Sequence, residues 1–176
     1  MALIKWEKDL TRKGGQVLIS SLPIAMHCHH YNINLQAMLE ETFGEIGIDL
    51  MCRSAEEATY SMFREYFKRY PNIKTIKSRI ELACTLYQSC GLGIIHFVSL
   101  DEEGGEAVSP FSHYVTGWLA KHGKRDTPGC HFTRGWIAGF CNLLFDKHLG
   151  YFRVTEVNCK MMRHETCVFK IAGSHR

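Results

Sequence analysis

Four residues in the C-terminal part of the chain have the side-chain types of a metal site: Cys130, Glu156, Cys159 and Cys167, the last three spaced Glu-x2-Cys-x7-Cys. Structural zinc takes four tetrahedral ligands, chiefly thiolates and imidazoles with an occasional carboxylate, and its binding energy can clamp a sheet to a helix. Three sulfurs and one oxygen meet that count. Residues 151–157 read as one strand, 167–172 as another and 160–166 as their connection, so a hairpin brings Cys159 and Cys167 together at its turn end. Side chains alternate along a strand, which would send Glu156 and Cys159 to opposite faces, so the reading requires a bulge or a strand end between them. Without a metal the same cysteines read as small buried residues and Glu156 as a surface carboxylate.

A second chemical feature is the run Met26-His27-Cys28-His29-His30-Tyr31-Asn32, which packs three imidazoles, a thiol and a phenol near a predicted helix start. On a helix His27 and Tyr31 share one face, as do His30 and Asn34, while Cys28 and Asn32 share another. Neutral imidazoles ligate zinc, copper, iron or nickel, and histidine also moves protons near neutral pH. The run cannot all face one ion. Its functional reading uses His27 or His30 with Tyr31 in a pocket, and its bland reading is one or two core histidines with the rest exposed.

The segments Cys130-x4-Gly135-Trp136-Ile137-Ala138-Gly139-Phe140, Thr155-Glu156-Val157-Asn158-Cys159 and Cys167-Val168-Phe169-Lys170-Ile171 resemble the second half of the 4-vinyl reductase domain. That domain is also the sensing part of phenol- and toluene-responsive transcriptional activators, and is similar in fold to small subunits of the transport-particle tethering complex. In the aromatic-sensing members three cysteines and a glutamate hold zinc. The resemblance implies those roles for Cys130, Glu156, Cys159 and Cys167, and a homodimer. It also implies an aromatic-ligand pocket lined by histidine and tryptophan, for which His96, His113, Trp118 and Trp136 are candidates beside His27, His30 and Tyr31. This chain departs from the pattern in a longer stretch between Gly139 and Glu156, and in a 160–166 connection without the glycine-containing turn of many members. Cys141, His131 and His164 therefore stand as substitute ligands.

At 176 residues, 45% hydrophobic and 22% charged, the chain can bury one sizeable core, and no apolar run reaches membrane-spanning length. Its first ten residues mix charge with apolar side chains and lack a signal-peptide core, so the eight cysteines read as thiols or metal ligands and the expected location is cytoplasmic. A net charge of +3 without a dense basic run interleaved with aromatics argues against nucleic acid. Gly91-x-Gly93 lacks a third glycine and runs into a strand, and no Gly-x-Ser-x-Gly elbow occurs.

Periodicity predicts a tail over 1–15 and one domain over 16–176. Within it come a short strand at 16–19, a helix over 23–43, and a helix opened by the Ser54-Ala55-Glu56-Glu57 capping box and stopped at Tyr70-Pro71. A helix over 73–90, strands at 94–100 and 106–108, helices from Ser112 and from Cys130, and the final hairpin follow. Hairpins with helices around them make an α+β fold, an antiparallel sheet covered by helices.

Three functions fit. The first is a zinc-clamped domain binding a small hydrophobic, aromatic or tetrapyrrole-like molecule. The second is an enzyme using His27, Cys28, His29, His30 or Tyr31, with a second metal or a haem-like group; with no nicotinamide or flavin fingerprint, a reductase would take its electrons from elsewhere. The third is a dimeric scaffold without catalysis.

Overall fold

The computed structural model describes residues 9–19, 22–25 and 27–174. In chain order the elements are strands β1 (Leu10–Lys13), β2 (Gln16–Ile19) and β3 (Leu22–Ile24), then helices α1 (His29–Phe43), α2 (Glu45–Arg69) and α3 (Ile76–Ser89). Strands β4 (Gly93–Leu100) and β5 (Gly104–Ser112) precede helices α4 (His113–His122) and α5 (His131–Leu144), and strand β6 (Phe152–Asn158), a 3-10 turn (Lys160–Met162) and strand β7 (Cys167–Gly173) close the chain. The strands form two antiparallel sheets, β1-β2-β3 and β4-β5-β7-β6, which is the α+β class expected.

Helix α5 is the hub. Its sequence is apolar on nearly every side, and eleven of its residues from His131 to Leu144 are buried, as befits a helix covered on several sides. Strands β6 and β7 show the period-2 burial of a sheet with one face inward: Phe152, Val154 and Glu156 on one, Cys167, Phe169 and Ile171 on the other. Against its other side lies α2, and the two backbones nearly touch. A Cβ on Gly135 would stand 2.0 Å from the carbonyl oxygen of Cys52, and one on Gly139 2.2 Å from that of Glu56. The Gly-x3-Gly spacing, one helical turn apart on one face, thus sets how closely α2 and α5 approach. Phe63, Tyr87, Trp136 and Phe140 fill the core beside this crossing, their contacting ring centroids 4.8–6.0 Å apart. The buried Tyr87 hydroxyl and Thr133 Oγ1 satisfy each other at 2.8 Å.

Two expectations fail for identifiable reasons. The helix expected over 23–43 starts only at His29. Pro23 instead sits in β3 opposite Leu18, on an edge strand where a missing N–H costs the ladder nothing. The Ser54 to Glu57 capping box lies inside α2, which already runs from Glu45; Gly44, at φ 54, makes the break between α1 and α2 that the box was expected to make. Strand β1, within the stretch expected as a tail, pairs with β2, and Tyr66 ties that sheet to α2 by donating to the carbonyl of buried Ile19.

Candidate metal centre

Each of the four candidate ligands is delivered by a different local device. Cys130 occupies the N-cap of α5, and its backbone N–H donates to Glu156 Oε2 at 2.9 Å. Glu156 points inward from β6. The ladder with β7 then slips, Glu156 facing Phe169 while Asn158 faces Val168, and this bulge resets the alternation so that Cys159 turns to the same side. The carbonyl of Cys159 accepts from the N–H groups of Met162 and His164 at 2.9 and 3.3 Å, closing the turn through Arg163 at φ 77. Arg163 occupies the left-handed conformation that a glycine would adopt at less cost. Lys160 Nζ braces the turn by donating to the carbonyls of Pro110 and Glu165. Cys167 opens β7 opposite Ser109.

The ligand atoms of Cys130, Glu156, Cys159 and Cys167 all lie within 4.8 Å of one another, and all four residues are buried. Such a group could hold a metal ion. The Cys130 and Cys167 sulfurs are 3.7 Å apart. That is far longer than a disulfide at ~2.05 Å, and matches the edge of ~3.8 Å in a tetrahedron with metal–sulfur bonds of ~2.3 Å. Glu156 Oε1 is buried with no hydrogen-bond partner in the chain. An acceptor left orphaned beside three sulfurs is what a cation would satisfy.

Electrostatics point the same way. Burial, reinforced by the Cys159 sulfur, pushes the Glu156 carboxyl up to about 8 against the lowering effect of the Cys130 N–H. The Cys130 thiol is raised by its hydrogen bonds to Cys159 and Cys167 and by burial, whereas Cys159 is held low because it accepts from both. Without an ion the group can carry little more than one negative charge; a divalent cation lets all four ionise. This fixes a pH dependence. A carboxyl whose folded pKa is raised from 4.5 to about 8 favours the folded state below 4.5 and loses that contribution as pH rises toward 8. The lowered Cys159 thiol acts in the opposite sense, because its sulfur takes up a proton on unfolding over the same range, so the two contributions offset one another. Chelated protein should therefore melt at nearly the same temperature between pH 5 and 8, whereas metal-loaded protein, whose ligands must shed protons to hold the ion, should melt higher as pH rises, which thermal unfolding across that range checks.

Around the centre lies a polar network that spacing along the chain did not reveal. Glu40 of α1 accepts from Gln36 Nε2 at 2.8 Å and is 3.0 Å from His131 Nε2, while both its oxygens take the Arg125 guanidinium at 3.1 and 2.8 Å. Arg125 also stacks 4.5 Å above Trp118. Although burial opposes its charge, hydrogen bonds from His131, Arg125 and Gln36 hold Glu40 at about 2. His131 is thereby engaged with Glu40 rather than with the sulfurs. His164 is exposed, and Cys141 is buried within α5 outside the group, its thiol raised by desolvation. None of these three substitutes joins the gathered set.

The remaining candidates are dispersed. His27, Cys28, His29, His30 and Tyr31 are all exposed at the start of α1, with His27 stacked on Tyr31 at 4.6 Å and the His29 and His30 rings 4.1 Å apart. Among the described residues they form no metal-sized group. His113 lies 3.1 Å from Asn32, its pKa lowered by burial and by neighbouring His29. His96 is exposed on β4, and Trp118 is half-buried beneath Arg125. Trp136 belongs to the aromatic core. A groove of about 1030 Å³ runs between α2, α5 and β6, floored by Ile48, Ala138, Phe152 and Val154 with Arg134 and Arg153 beside them; none of the aromatic or histidine candidates lines it.

The same architecture occurs in the crystal structure of the phenol-responsive sensory domain of the transcription activator PoxR with phenol, at a TM-score of 0.81. This chain has the fold of that sensory domain. The match covers 96% of this chain and 86% of the PoxR domain at 16% sequence identity, so it carries the architecture and leaves the ligand to be argued from the site. A vinyl-4-reductase family protein from Methanocaldococcus jannaschii matches with a TM-score of 0.48 and 16% identity, over 86% of this chain and 98% of that one. At the level of sequence, no family model and no curated protein matches the chain. No helix among the described residues is long and apolar enough to cross a membrane.

Proposed function

We propose that the chain is a small-molecule-binding domain of the PoxR sensory type, held in shape by one structural zinc on Cys130, Glu156, Cys159 and Cys167. The convergence of four buried ligand atoms with an orphaned Glu156 oxygen carries this reading. Three thiolates and one carboxylate suit zinc better than a hard cation such as magnesium or calcium. The ion would join the start of α5, the end of β6 and the start of β7.

The ligand is a small hydrophobic or aromatic molecule bearing a polar group. Buried Trp118 Nε1, Gln36 Oε1 and His131 Nδ1, clustered about Glu40 and Arg125, have no hydrogen-bond partner within the chain. One hydroxyl can accept from an indole N–H and donate to an amide oxygen. The phenol of the PoxR domain is such a molecule. A homodimer belongs to the proposal, with Tyr31, Leu35, Met38 and Phe43 of α1 as exposed apolar side chains available to a second copy. Eight cysteines with no disulfide among them fit a reducing, cytoplasmic setting.

Thermal unfolding in the presence of phenol and its alkylated analogues tests the ligand. At a concentration a hundredfold above Kd, binding adds about 2.7 kcal/mol, which for a chain of this size is an upward shift of roughly 5–10 °C. Trp118→Ala should abolish the shift. A series that moves neither the native melting temperature nor its tryptophan fluorescence would remove this ligand class.

A further inference from the structure

We propose that Glu40 is a positioning residue for the metal centre: from α1 its carboxylate grips the two chain segments that present Cys130 and Cys159. The inference rests on the metal reading above. On the Cys130 side, His131 is the residue after the ligand and meets Glu40 directly, while Gln36, also bonded to Glu40, donates to the carbonyl of Gly129, the residue before it, at 2.8 Å. On the Cys159 side, Arg125 takes both carboxylate oxygens and its backbone N–H donates to the carbonyl of Met161 at 3.1 Å, within the turn that follows Cys159. The two segments are themselves interlocked. A Cβ on Gly129 would stand 2.5 Å from Met161 Sδ, and the Gly129 N–H bonds the Cys159 sulfur. A single carboxylate, its side chain 14% exposed, thus fixes the relative placement of Cys130 and Cys159 without touching either sulfur. Outer partners of this kind set metal affinity because ligands held in place need no reordering when the ion arrives.

Glu40→Gln keeps the shape and one acceptor oxygen while removing the charge that holds Arg125. Zinc affinity measured by competition with a chromophoric chelator should fall by about 10–100-fold, and amide hydrogen exchange across residues 36–43 should quicken in zinc-loaded protein. Leu82→Ala in α3, which supplies no ligand, separates this from general loosening: it should lower the melting temperature and leave zinc affinity within about twofold. If Glu40→Gln does not fold, Arg125→Lys retains the charge but loses the two-pronged contact and should weaken zinc binding in the same direction. A native chain that binds zinc tightly while Glu40→Gln binds it equally well overturns the role of Glu40 alone. A native chain that takes up no zinc overturns the metal centre and this role together.

Discussion

Cys159→Ala is expected to empty the metal centre and to lower stability by several kcal/mol, a large part of the roughly 5–15 kcal/mol that keeps an ordinary domain folded. Cys159 is where the centre is most exposed to loss. Its sulfur accepts from Cys130, Cys167 and the Gly129 N–H, and its carbonyl closes the turn ahead of β7, so its removal takes one ligand and the acceptor shared by two others. Elemental analysis with urea unfolding reads both consequences, and Cys141→Ala supplies the contrast. That thiol is equally buried but stands outside the ligand set, so its loss should cost about 1–2 kcal/mol by cavity formation while metal content stays native. Retention of metal and melting temperature in Cys159→Ala would show that the ion, if present, sits on other residues.

Gly135→Ala and Gly139→Ala form the second pair with large expected effects. Each Cβ would meet a backbone carbonyl oxygen of α2 at 2.0–2.2 Å, and backbone cannot swing aside as a long side chain can. The helices must separate, loosening the packing of Phe63, Trp136 and Phe140 at the crossing. A cost of about 3 kcal/mol or more for each single change is expected, at the upper end for overpacking, and the double substitution should not accumulate as folded protein. Because Cys130 is the N-cap of α5, displacing the helix also strains the metal centre, so both variants should lose zinc to a competing chelator sooner than native protein. Chemical denaturation of the single variants checks the first effect; native midpoints would mean that the crossing is looser than the glycines indicate.

The legible parts of this fold were those written in local pattern. The hairpin strands alternate cleanly, and placing Glu156 and Cys159 on one ion demanded an irregularity that the β6–β7 ladder has between Glu156 and Asn158. The Gly135–Gly139 spacing was visible as part of a resemblance, but its physical meaning needed α2 beside it. Where local signals misled, tertiary pairing overrode them: Pro23 is an adequate helix opener, yet β2 takes it as an edge-strand neighbour, and Ser54 to Glu57 would cap a helix had Gly44 not already begun one. The Glu40, Gln36, Arg125 and His131 network had no sequence signal, because its two halves, on α1 and on the 125–131 stretch, lie 85–93 positions apart and meet only when α1 docks on the Cys130 loop. The exposed run from His27 to Tyr31, conspicuous in the sequence, has the weaker structural support: its rings stack on one another and gather no buried group.

Zinc-edge X-ray absorption on metal-loaded protein, with zinc counted per chain, tests the central claim most directly. The account predicts one zinc per chain with three sulfurs at about 2.3 Å and one oxygen at about 2.0–2.2 Å. Substoichiometric zinc, or a first shell with nitrogen in place of one or more sulfurs, would contradict it.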